Sequence, residues 1–444
     1  MKTAADYARR VFTLDVRSLA LMRIAVAASV LVDLATRLVH ATDHYSDDGV
    51  LPREVAGWLA DTTVLAISGS PAWVIAVFVV AIVLAVAVLV GWRTRLMTLL
   101  LWLVMLSIQH RNPLLWDHRD ALFSIALCHG VLLPWGRAWS LDARRCGPRA
   151  DPRYFGVAAA AYVVQIACIY LFAALLKDGP EWRSQLTAVE HAISLEYWAR
   201  PFASHVLDHP TVMAALTAGV IGFEAALAPL LLWPWRPRLV RWLAVFGLCA
   251  LQVGFAMFLW LDTFPLIAGA MVLGLVPWSH RAGDPPGEPS RWIGRVAAVL
   301  LGYTVALNVL SLAADPPFVR RPAELLGLDQ RWTMFAPAPT RWDGWFIVQA
   351  TIDGRAIDLL TGRDVLWTRP ASFREGIRTT RELVFMRRLL AASEPVRASF
   401  AAARCRTSGA TSIAVYFVPV YAGELRPPEL LVTRECGSEQ VEQR

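Results

Sequence analysis

The amino-acid sequence predicts an all-α polytopic membrane bundle followed by a small mixed α/β domain. Of the 444 residues, 56% are hydrophobic and only 18% are charged. The apolar residues occur in long runs, and a helical run of about 20 apolar residues matches the hydrocarbon thickness of a bilayer. Beyond about residue 318 these runs give way to alternating apolar and polar residues. The fold class is therefore that of an integral membrane protein with a C-terminal domain outside the lipid.

Nine segments qualify as candidate transmembrane helices, so about nine spans are predicted. The second has no charged residue between Ala72 and Trp92 and is the clearest. The third, fourth and eighth are short, and runs of that length also occur in re-entrant or interfacial helices. The nine candidates cover residues 18–39, 72–92, 95–110, 119–136, 155–177, 212–233, 239–260, 262–279 and 293–313.

Basic residues between the candidate spans predict the orientation of the chain, because cytoplasmic loops carry an excess of Arg and Lys. With nine spans, the Arg-rich segments all fall on one side. The first loop on the other side, residues 40–71, is rich in Asp. We therefore expect a cytoplasmic N-terminus and an extracytoplasmic C-terminal domain. The net charge of +7 is spread over these loops, which argues against a nucleic-acid partner.

The predicted domain boundary separates a membrane domain, residues 1–317, from the α/β domain, residues 318–444. Residues 346–352 alternate in polarity and precede Asp353-Gly354, which is a hairpin signal. The remaining predicted elements are a helical stretch at 371–404 and strands at 412–421 and 429–433.

Two cysteines, Cys405 and Cys436, lie in the predicted outer domain. An extracytoplasmic location permits a disulfide between them, and free thiols are the alternative. No His/Cys spacing typical of a zinc site occurs in the chain, so no metal is predicted.

Charged residues at membrane depth are costly and usually have a partner or a task. Asp33 and Arg37 are four residues apart, so they share a helix face, which favours an intrahelical ion pair. Glu224 lies in the middle of an apolar span with no cation near it in its own helix. It needs a cation on another helix, a proton or a water-filled cavity. Residues 109–120, the densest polar stretch between two spans, are interpreted as the mouth of a pocket, with a plain outer loop as the alternative.

Lys177 ends the apolar run of the fifth candidate span. A lysine at such a position often extends to the lipid headgroups as an anchor. A lysine buried there can instead lose its proton near neutral pH and act as a base. Position alone leaves both interpretations open.

Five segments are similar, in order and spacing, to those of a known family. Lys177 and Trp182 form a Lys-x4-Trp block at the end of a span, and the others are residues 15–33, 44–52, 120–142 and 332–345. Together they resemble the HTTM (horizontally transferred transmembrane domain) family, which includes the vitamin K-dependent gamma-carboxylase. The likeness extends over about residues 10–360.

The resemblance implies a specific chemistry. The carboxylase uses a lysine to deprotonate reduced vitamin K, and oxygen then converts the hydroquinone into an alkoxide and finally an epoxide. By resemblance, Lys177 is the base of an epoxidase or lyase, with reduced vitamin K or a menaquinol-like lipid quinone, O2 and CO2 as cofactors. The residues that the resemblance assigns to quinone binding or charge balance are Arg23, Asp33, His118, Asp120, Tyr170, Trp182, Glu224 and Gln252.

Two departures separate the chain from the carboxylase. Gln252 stands where many members carry a histidine, and glutamine cannot carry a proton at neutral pH. The outer domain is short and lacks the large region that binds the propeptide of clotting-factor precursors. We therefore expect oxygenation of a lipid quinone rather than carboxylation of protein glutamate. The alternative is a non-catalytic membrane scaffold, immunity or accessory protein that binds a lipid or a peptide partner on its outer face.

Overall fold

A computed structural model describes residues 3–147, 151–278, 290–313 and 317–437. Within these residues, each of the nine predicted spans contains a helix. A short helix, α1 (Ala4–Phe12), precedes them. The nine helices, α2 to α10 in chain order, are Val16–Leu38, Pro71–Val90, Thr94–Arg111, His118–Leu132, Val157–Leu176, Pro210–Leu231, Pro237–Phe258, Phe264–Val272 and Arg291–Leu310.

Six of these helices are long and apolar enough to cross a bilayer: α2, α3, α6, α7, α8 and α10. The other three are shorter or more polar, since α5 has 15 residues, α9 has 9, and α4 ends in Gln109, His110 and Arg111. At 1.5 Å per residue α5 is roughly 22 Å long, against a hydrocarbon core of about 30 Å. The described residues thus support an integral membrane protein with six candidate spans. The count of nine is not confirmed, and the orientation of the termini stays a prediction.

A pair of two-residue strands places the starts of α2 and α6 side by side. β1 (Leu14–Asp15) pairs antiparallel with β2 (Arg153–Tyr154), and each leads into its helix. Met22 in α2 and Tyr162 in α6 both approach Gly274. Both helices therefore leave the strand pair in the same direction. Residues near the end of either helix lie at the opposite end of the bundle from β1 and β2.

Arg23 caps the C-terminus of α3. Its guanidinium donates to the carbonyls of Val88 (3.0 Å), Leu89 (3.2 Å) and Trp139 (2.6 Å). The last turn of a helix leaves carbonyl groups without partners in the helix, so a buried cation is well placed there. Gly91 ends α3 with a φ of +71°, and a Cβ atom at this position would lie 2.1 Å from Arg23 Nη1.

The segment after the bundle returns into it before the sheet begins. Helix α11 (Pro317–Leu326) is followed by an extended stretch in which Trp332 Nε1 donates to Asn308 Oδ1 on α10 at 3.1 Å. Gln330 Oε1 accepts from Asn308 at 2.9 Å and from Gln165 on α6 at 2.7 Å. Buried polar groups are stable when paired in this way. These bonds hold the segment that follows against α6 and α10.

The outer domain is built on an antiparallel sheet. Strand β3 pairs along its length with β6, so that Phe346 lies opposite Phe417. The predicted hairpin is confirmed, because Asp353 and Gly354 both have positive φ, as a tight two-residue turn requires. The sheet order is β5-β4-β3-β6-β7, and β8 also pairs with β6. In chain order, β3 to β8 are Trp342–Ile352, Arg355–Asp358, Arg363–Asp364, Ser412–Tyr421, Glu424–Leu425 and Glu429–Glu435.

The helical stretch predicted at 371–404 is two helices, α12 (Thr380–Leu389) and α13 (Glu394–Ser408). Residues 371–379 are not helical, because Thr379 is extended and its side chain caps α12 by accepting from Glu382 N at 3.1 Å. A disulfide joins Cys405 on α13 to Cys436 after β8, with their Cα atoms 5.4 Å apart. One contiguous set of buried side chains runs from the bundle into this sheet. The predicted domain boundary at residue 318 therefore stays a prediction.

The cap on α3 gives a testable prediction about stability. Gly91→Ala should lower the stability by roughly 1–2 kcal/mol through the positive φ, and by a further 1–3 kcal/mol because Arg23 must leave its carbonyl partners and Ser140 must shift. Gly409→Ala is the matched control, since Gly409 also ends a helix with a positive φ (+68°) but has open space around its Cβ position. Thermal unfolding in detergent measures both. Equal losses in the two variants would contradict the role of Arg23.

Candidate functional site: a buried lysine–glutamate pair

Lys177 is buried at the end of α6 and forms an ion pair with α7. Only 4% of the residue is exposed. Its Nζ lies 2.6 Å from Glu224 Oε2 and 5.2 Å from the centroid of the Trp182 ring. An anchor in the headgroup layer would extend toward water instead. Of the two interpretations left open by the sequence, the geometry is that of the buried lysine.

Lys177 is the partner that the isolated Glu224 carboxylate required. Glu224 lies in the middle of α7, and it is buried. Lys177 supplies the cation from another helix, as one of the three alternatives anticipated. Charge-assisted contacts of this length are strong when water is excluded. The pair therefore places an amine and a carboxylate in direct contact in a buried, largely apolar setting.

The turn after Lys177 explains the Lys-x4-Trp spacing. Arg183 returns to donate to the carbonyls of Lys177 (3.0 Å) and Ala174 (2.9 Å), which closes the C-terminus of α6. The same turn places Trp182 over the ammonium group, and Trp182 Nε1 donates to Phe335 O at 2.9 Å. Gly179 N donates to Pro337 O at 3.0 Å. The segment around residues 335–337 thus holds the turn that carries Trp182.

Lys177 and Glu224 line a pocket of about 840 Å³. Apolar residues of α7 and α8, among them Phe223 and Phe255, form much of its wall. Ligand sites of drug-sized molecules typically enclose about 300–1,000 Å³ with a few polar groups. The polar lining residues besides the pair are Asp117, His118, Arg119, Thr340, Thr380, Arg387 and Arg388.

A second, small cavity of about 20 Å³ lies behind Glu224 and includes Tyr170 and Gln252. Gln252 Nε2 donates to the Tyr170 hydroxyl at 3.2 Å. Glu224 lines both cavities. Of the residues assigned to quinone binding, Tyr170 and Gln252 thus lie next to the pair but outside the main pocket. The smaller cavity has room for about one water molecule.

His118 reaches the main pocket at the start of α5. One ring nitrogen, Nε2, lies 3.1 Å from Arg331 O. Asp117 and Asp120 form a reciprocal capping box at this helix start, in which Asp117 N donates to Asp120 Oδ2 at 3.0 Å. Residues 117–119 line the pocket, so this part of the polar stretch at 109–120 does form its wall. No group of three His, Cys, Asp or Glu side chains suited to a metal occurs among the described residues.

Asp33 and Asp120 belong to a separate cluster of four buried charges. Arg37 Nε lies 2.7 Å from Asp33 Oδ2, which is the predicted intrahelical pair, and Arg37 also pairs with Asp120. Arg381, on α12 of the outer domain, lies 2.6 Å from Asp33 Oδ1 and 2.9 Å from Asp120 Oδ2. Two arginines therefore balance two carboxylates. We define this set as the charge cluster.

Three assignments made from the sequence need correction. Asp33 and Asp120 do not belong to the Lys177 site, because both carboxylate oxygens of each are engaged in the charge cluster and neither residue lines the pocket. Arg23 does not balance the site either. It caps α3 near the start of α2, whereas Lys177 follows the end of α6, at the other end of the bundle. Helix position identifies buried charges but does not identify their partners.

Comparison with known proteins identifies the family. The profile of the HTTM domain matches residues 12–273, which is more than half of the chain. The chain belongs to the HTTM family. Neither the curated proteins nor the solved structures include a match.

The HTTM match runs from the start of β1 to the end of α9 and includes both Lys177 and Glu224. The segment that contacts Trp182 and the whole outer domain lie beyond it. Arg381 lies in that outer part, and the sequence does not single it out, because it is one of many arginines in the predicted helical stretch at 371–404.

The outer domain also contributes Asp343, whose Oδ2 accepts from Glu196 N at 2.6 Å. Leu195 and Trp198, on either side of that contact, line the pocket. Burial raises the pKa of Asp343 to about 6, and hydrogen bonds from the backbone of Glu196 and Gly344 oppose the rise. This carboxyl group therefore titrates within an accessible pH range.

The charge cluster predicts a large effect of losing one member. Arg381→Met leaves two buried carboxylates with one arginine, so stability should fall by about 3–5 kcal/mol. Arg378→Met, at an exposed position three residues earlier, should change it by less than about 0.5 kcal/mol. The double variant Asp120→Asn/Arg381→Met should recover part of the loss, because it restores the balance of charge. Thermal unfolding in detergent measures all three, and an unaffected Arg381→Met protein would contradict the cluster.

Asp343 predicts a pH dependence of stability. Its native pKa of about 6 lies above the unfolded value of about 3.9, so the native state binds the proton more tightly. This contribution to stability is fully present below about pH 4 and is lost as the pH rises through about 6. The melting temperature of Asp343→Asn should therefore fall less than that of the wild type between pH 4 and pH 7. Asp353→Asn, at an exposed turn, should keep the wild-type slope, and parallel profiles of all three would contradict the assignment.

Proposed function

We propose that this HTTM protein is a membrane enzyme that binds a reduced lipid quinone in the pocket and uses Lys177, paired with Glu224, to remove a hydroxyl proton. The supporting observation is the 2.6 Å contact between Lys177 and Glu224 in the wall of a largely apolar pocket of about 840 Å³. The apolar wall suits a lipid-soluble ring and tail. The buried pair supplies a proton acceptor for a hydroxyl group of a ligand in the pocket.

Charge balance favours deprotonation at this pair. The amine and the carboxylate together carry no net charge when they share one proton. When a quinol gives up its proton, the pair becomes cationic beside the new quinolate anion, so the site as a whole stays neutral. Isolated charges are costly in an apolar site, while adjacent opposite charges reduce that cost. The ammonium group and the quinolate thus stabilise each other.

Lysine is the residue type that this role requires. Lys2 and Lys177 are the only lysines in the sequence, in which Lys and Arg together number 43. Arginine remains protonated in proteins, whereas a buried lysine readily changes its protonation. A purely structural ion pair with Glu224 could be made by either residue.

The proposed reaction is the oxygenation of the quinolate. One quinol and one O2 give one quinone epoxide and one H2O, so the quinol supplies both hydrogens of the water and O2 supplies the epoxide oxygen. Gln252 gives no support for a further carboxylation of protein glutamate, and CO2 has no part in this step.

The decisive experiment compares Lys177→Arg with the wild type. Purified protein is mixed with reduced menaquinone and O2, and the epoxide is measured by mass spectrometry. Lys177→Arg keeps the charge and the partner but cannot donate or accept the proton, so turnover should fall by at least about 100-fold, the usual contribution of a general base. Unfolding temperature should change little.

Arg355→Lys, at an exposed position in β4, serves as the control for an exchange between arginine and lysine and should keep full activity. A wild-type protein that binds no quinone, or a fully active Lys177→Arg protein, would overturn the enzymatic proposal. In that event the non-catalytic scaffold remains. It predicts that Lys177→Arg is silent in every assay.

A further inference from the structure

The main pocket extends between α7 and α8. Its lining residues on α7 fall within 215–224, and those on α8 fall within 247–258. Ala215 and Gly219, which belong to this lining, are exposed. A Cβ atom at Gly219 or Gly254 would meet no neighbouring atom within 4 Å among the described residues. The two helices therefore leave a gap at this level, and the gap is continuous with the pocket.

Contacts on either side limit this gap. Toward the loop that joins α7 to α8, the Phe223 ring lies against Gly247, where a Cβ atom would come within 2.5 Å of it. Toward the other end, Met213 on α7 and Leu259 after α8 belong to one cluster of buried side chains with Ile193. Met213 and Phe223 lie about 15 Å apart along α7, at 1.5 Å per residue. We define the gap between these two contacts as the window.

The end of the helix pair beyond Met213 is covered by protein. Val189 N donates to Thr217 Oγ1 on α7 at 3.1 Å, and Arg200 N donates to Phe258 O on α8 at 2.9 Å. The segment 188–203 thus bonds to both helices. A ligand that came from this end would have to displace it.

The window lies between two candidate membrane spans, since α7 and α8 are both long and apolar enough to cross a bilayer. Exposed apolar side chains occur on both helices near it, among them Val212 on α7 and Val253 and Met257 on α8. Exposed apolar side chains of a membrane span contact lipid hydrocarbon. An opening between these helices therefore faces hydrocarbon rather than water.

We propose that the lipid ligand enters the pocket sideways from the bilayer through the window, and that its apolar tail stays between α7 and α8 while its ring lies beside Lys177. Glu224 follows Gly219 by five residues on the same helix, so the window adjoins the ion pair. A tail in the window stays in apolar surroundings, and the ring reaches the pair without crossing water. The identity of the ring rests on the proposed function, whereas the window concerns the tail.

Gly219→Leu and Gly254→Leu test the tail site, because each places a side chain in the window. The ligands are reduced menaquinone, which carries a prenyl tail, and reduced menadione, which has the same ring without the tail. Dissociation constants are measured without oxygen in lipid nanodiscs, by scintillation proximity with tritiated ligands. Both variants should bind reduced menaquinone roughly tenfold more weakly and reduced menadione within about twofold of the wild type, because only the tail loses apolar contact.

Gly302→Leu on α10 is the matched control. Gly302 is also an exposed glycine in a candidate span with open space at its Cβ position, but it lies outside the pocket lining. This variant should bind both ligands as the wild type does.

Photolabelling locates the tail in the wild-type protein, so its result does not depend on the folding of a variant. Menaquinone with a diazirine in the prenyl units next to the ring is bound and irradiated, and the adducts are located by peptide mass spectrometry. Adducts should fall in α7 and α8 and disappear with excess unlabelled menaquinone. Adducts confined to α12 or to residues 188–203 would overturn the window, because the tail would then leave through the covered end.

The outcomes separate this inference from the proposed function. A selective loss of menaquinone binding in the two leucine variants supports the window. Unchanged menaquinone binding in both, or an equal loss for both ligands, overturns the window and leaves the proposed role of Lys177 intact. A wild-type protein that binds neither ligand overturns both proposals.

Discussion

The charge cluster is the interaction on which the arrangement of this protein depends. Arg381 comes from the outer domain and pairs with Asp33 on α2 and Asp120 on α5, both of which Arg37 also contacts. Four charges without access to water are stable only when all of them are paired. The charge cluster is complete only when the outer domain packs on the bundle with Arg381 in contact with Asp33 and Asp120.

The pocket is a consequence of that position. Val384, Arg387 and Arg388 follow Arg381 on α12, at helical spacings of three to seven residues, and all three line the pocket. The same helix that completes the charge cluster thus supplies part of the pocket wall. The segment 330–337 supplies another part, because the bonds of Gln330 to α6 and of Trp332 to α10 place Phe335 against Trp182. The bundle alone would leave Lys177 with a more open surrounding.

The two sets of buried charges differ in what they can do. In the charge cluster the cations are arginines with several bonds each, which hold geometry and keep their protons. In the Lys177–Glu224 pair the cation is a lysine with one carboxylate partner, and the pair lines the pocket. The two sets thus differ in residue type and in their access to the pocket.

Much of the architecture was predictable from local patterns. Each of the nine apolar segments contains a helix, and the six long ones follow from their apolar runs, because a chain segment in lipid must satisfy its own backbone hydrogen bonds. The Asp353-Gly354 hairpin and the Asp33–Arg37 pair followed from turn chemistry and from helix periodicity. The lengths of α5 and α9 were harder to predict, because a short apolar run does not reveal whether its helix spans the bilayer or ends within the protein. The helix predicted from residue 371 begins only at Thr380, because Thr379 is extended and caps it.

The sequence by itself determined the membrane class, the helices, the family resemblance and the need of Glu224 for a partner. Only the tertiary structure decided that this partner is Lys177, that Asp33 belongs with Arg381, and that Arg23 caps α3. The physical reason is that local sequence reports on neighbouring residues, whereas these contacts join residues far apart in the chain. Depth in a helix and polarity are properties of neighbouring residues, while an ion pair between α6 and α7, or between α2 and α12, depends on packing across residues far apart in the chain. The position of Lys177 in the sequence fits both a base and an anchor, and only its surroundings distinguish the two. Lys177 is buried in an apolar environment and contacts Glu224.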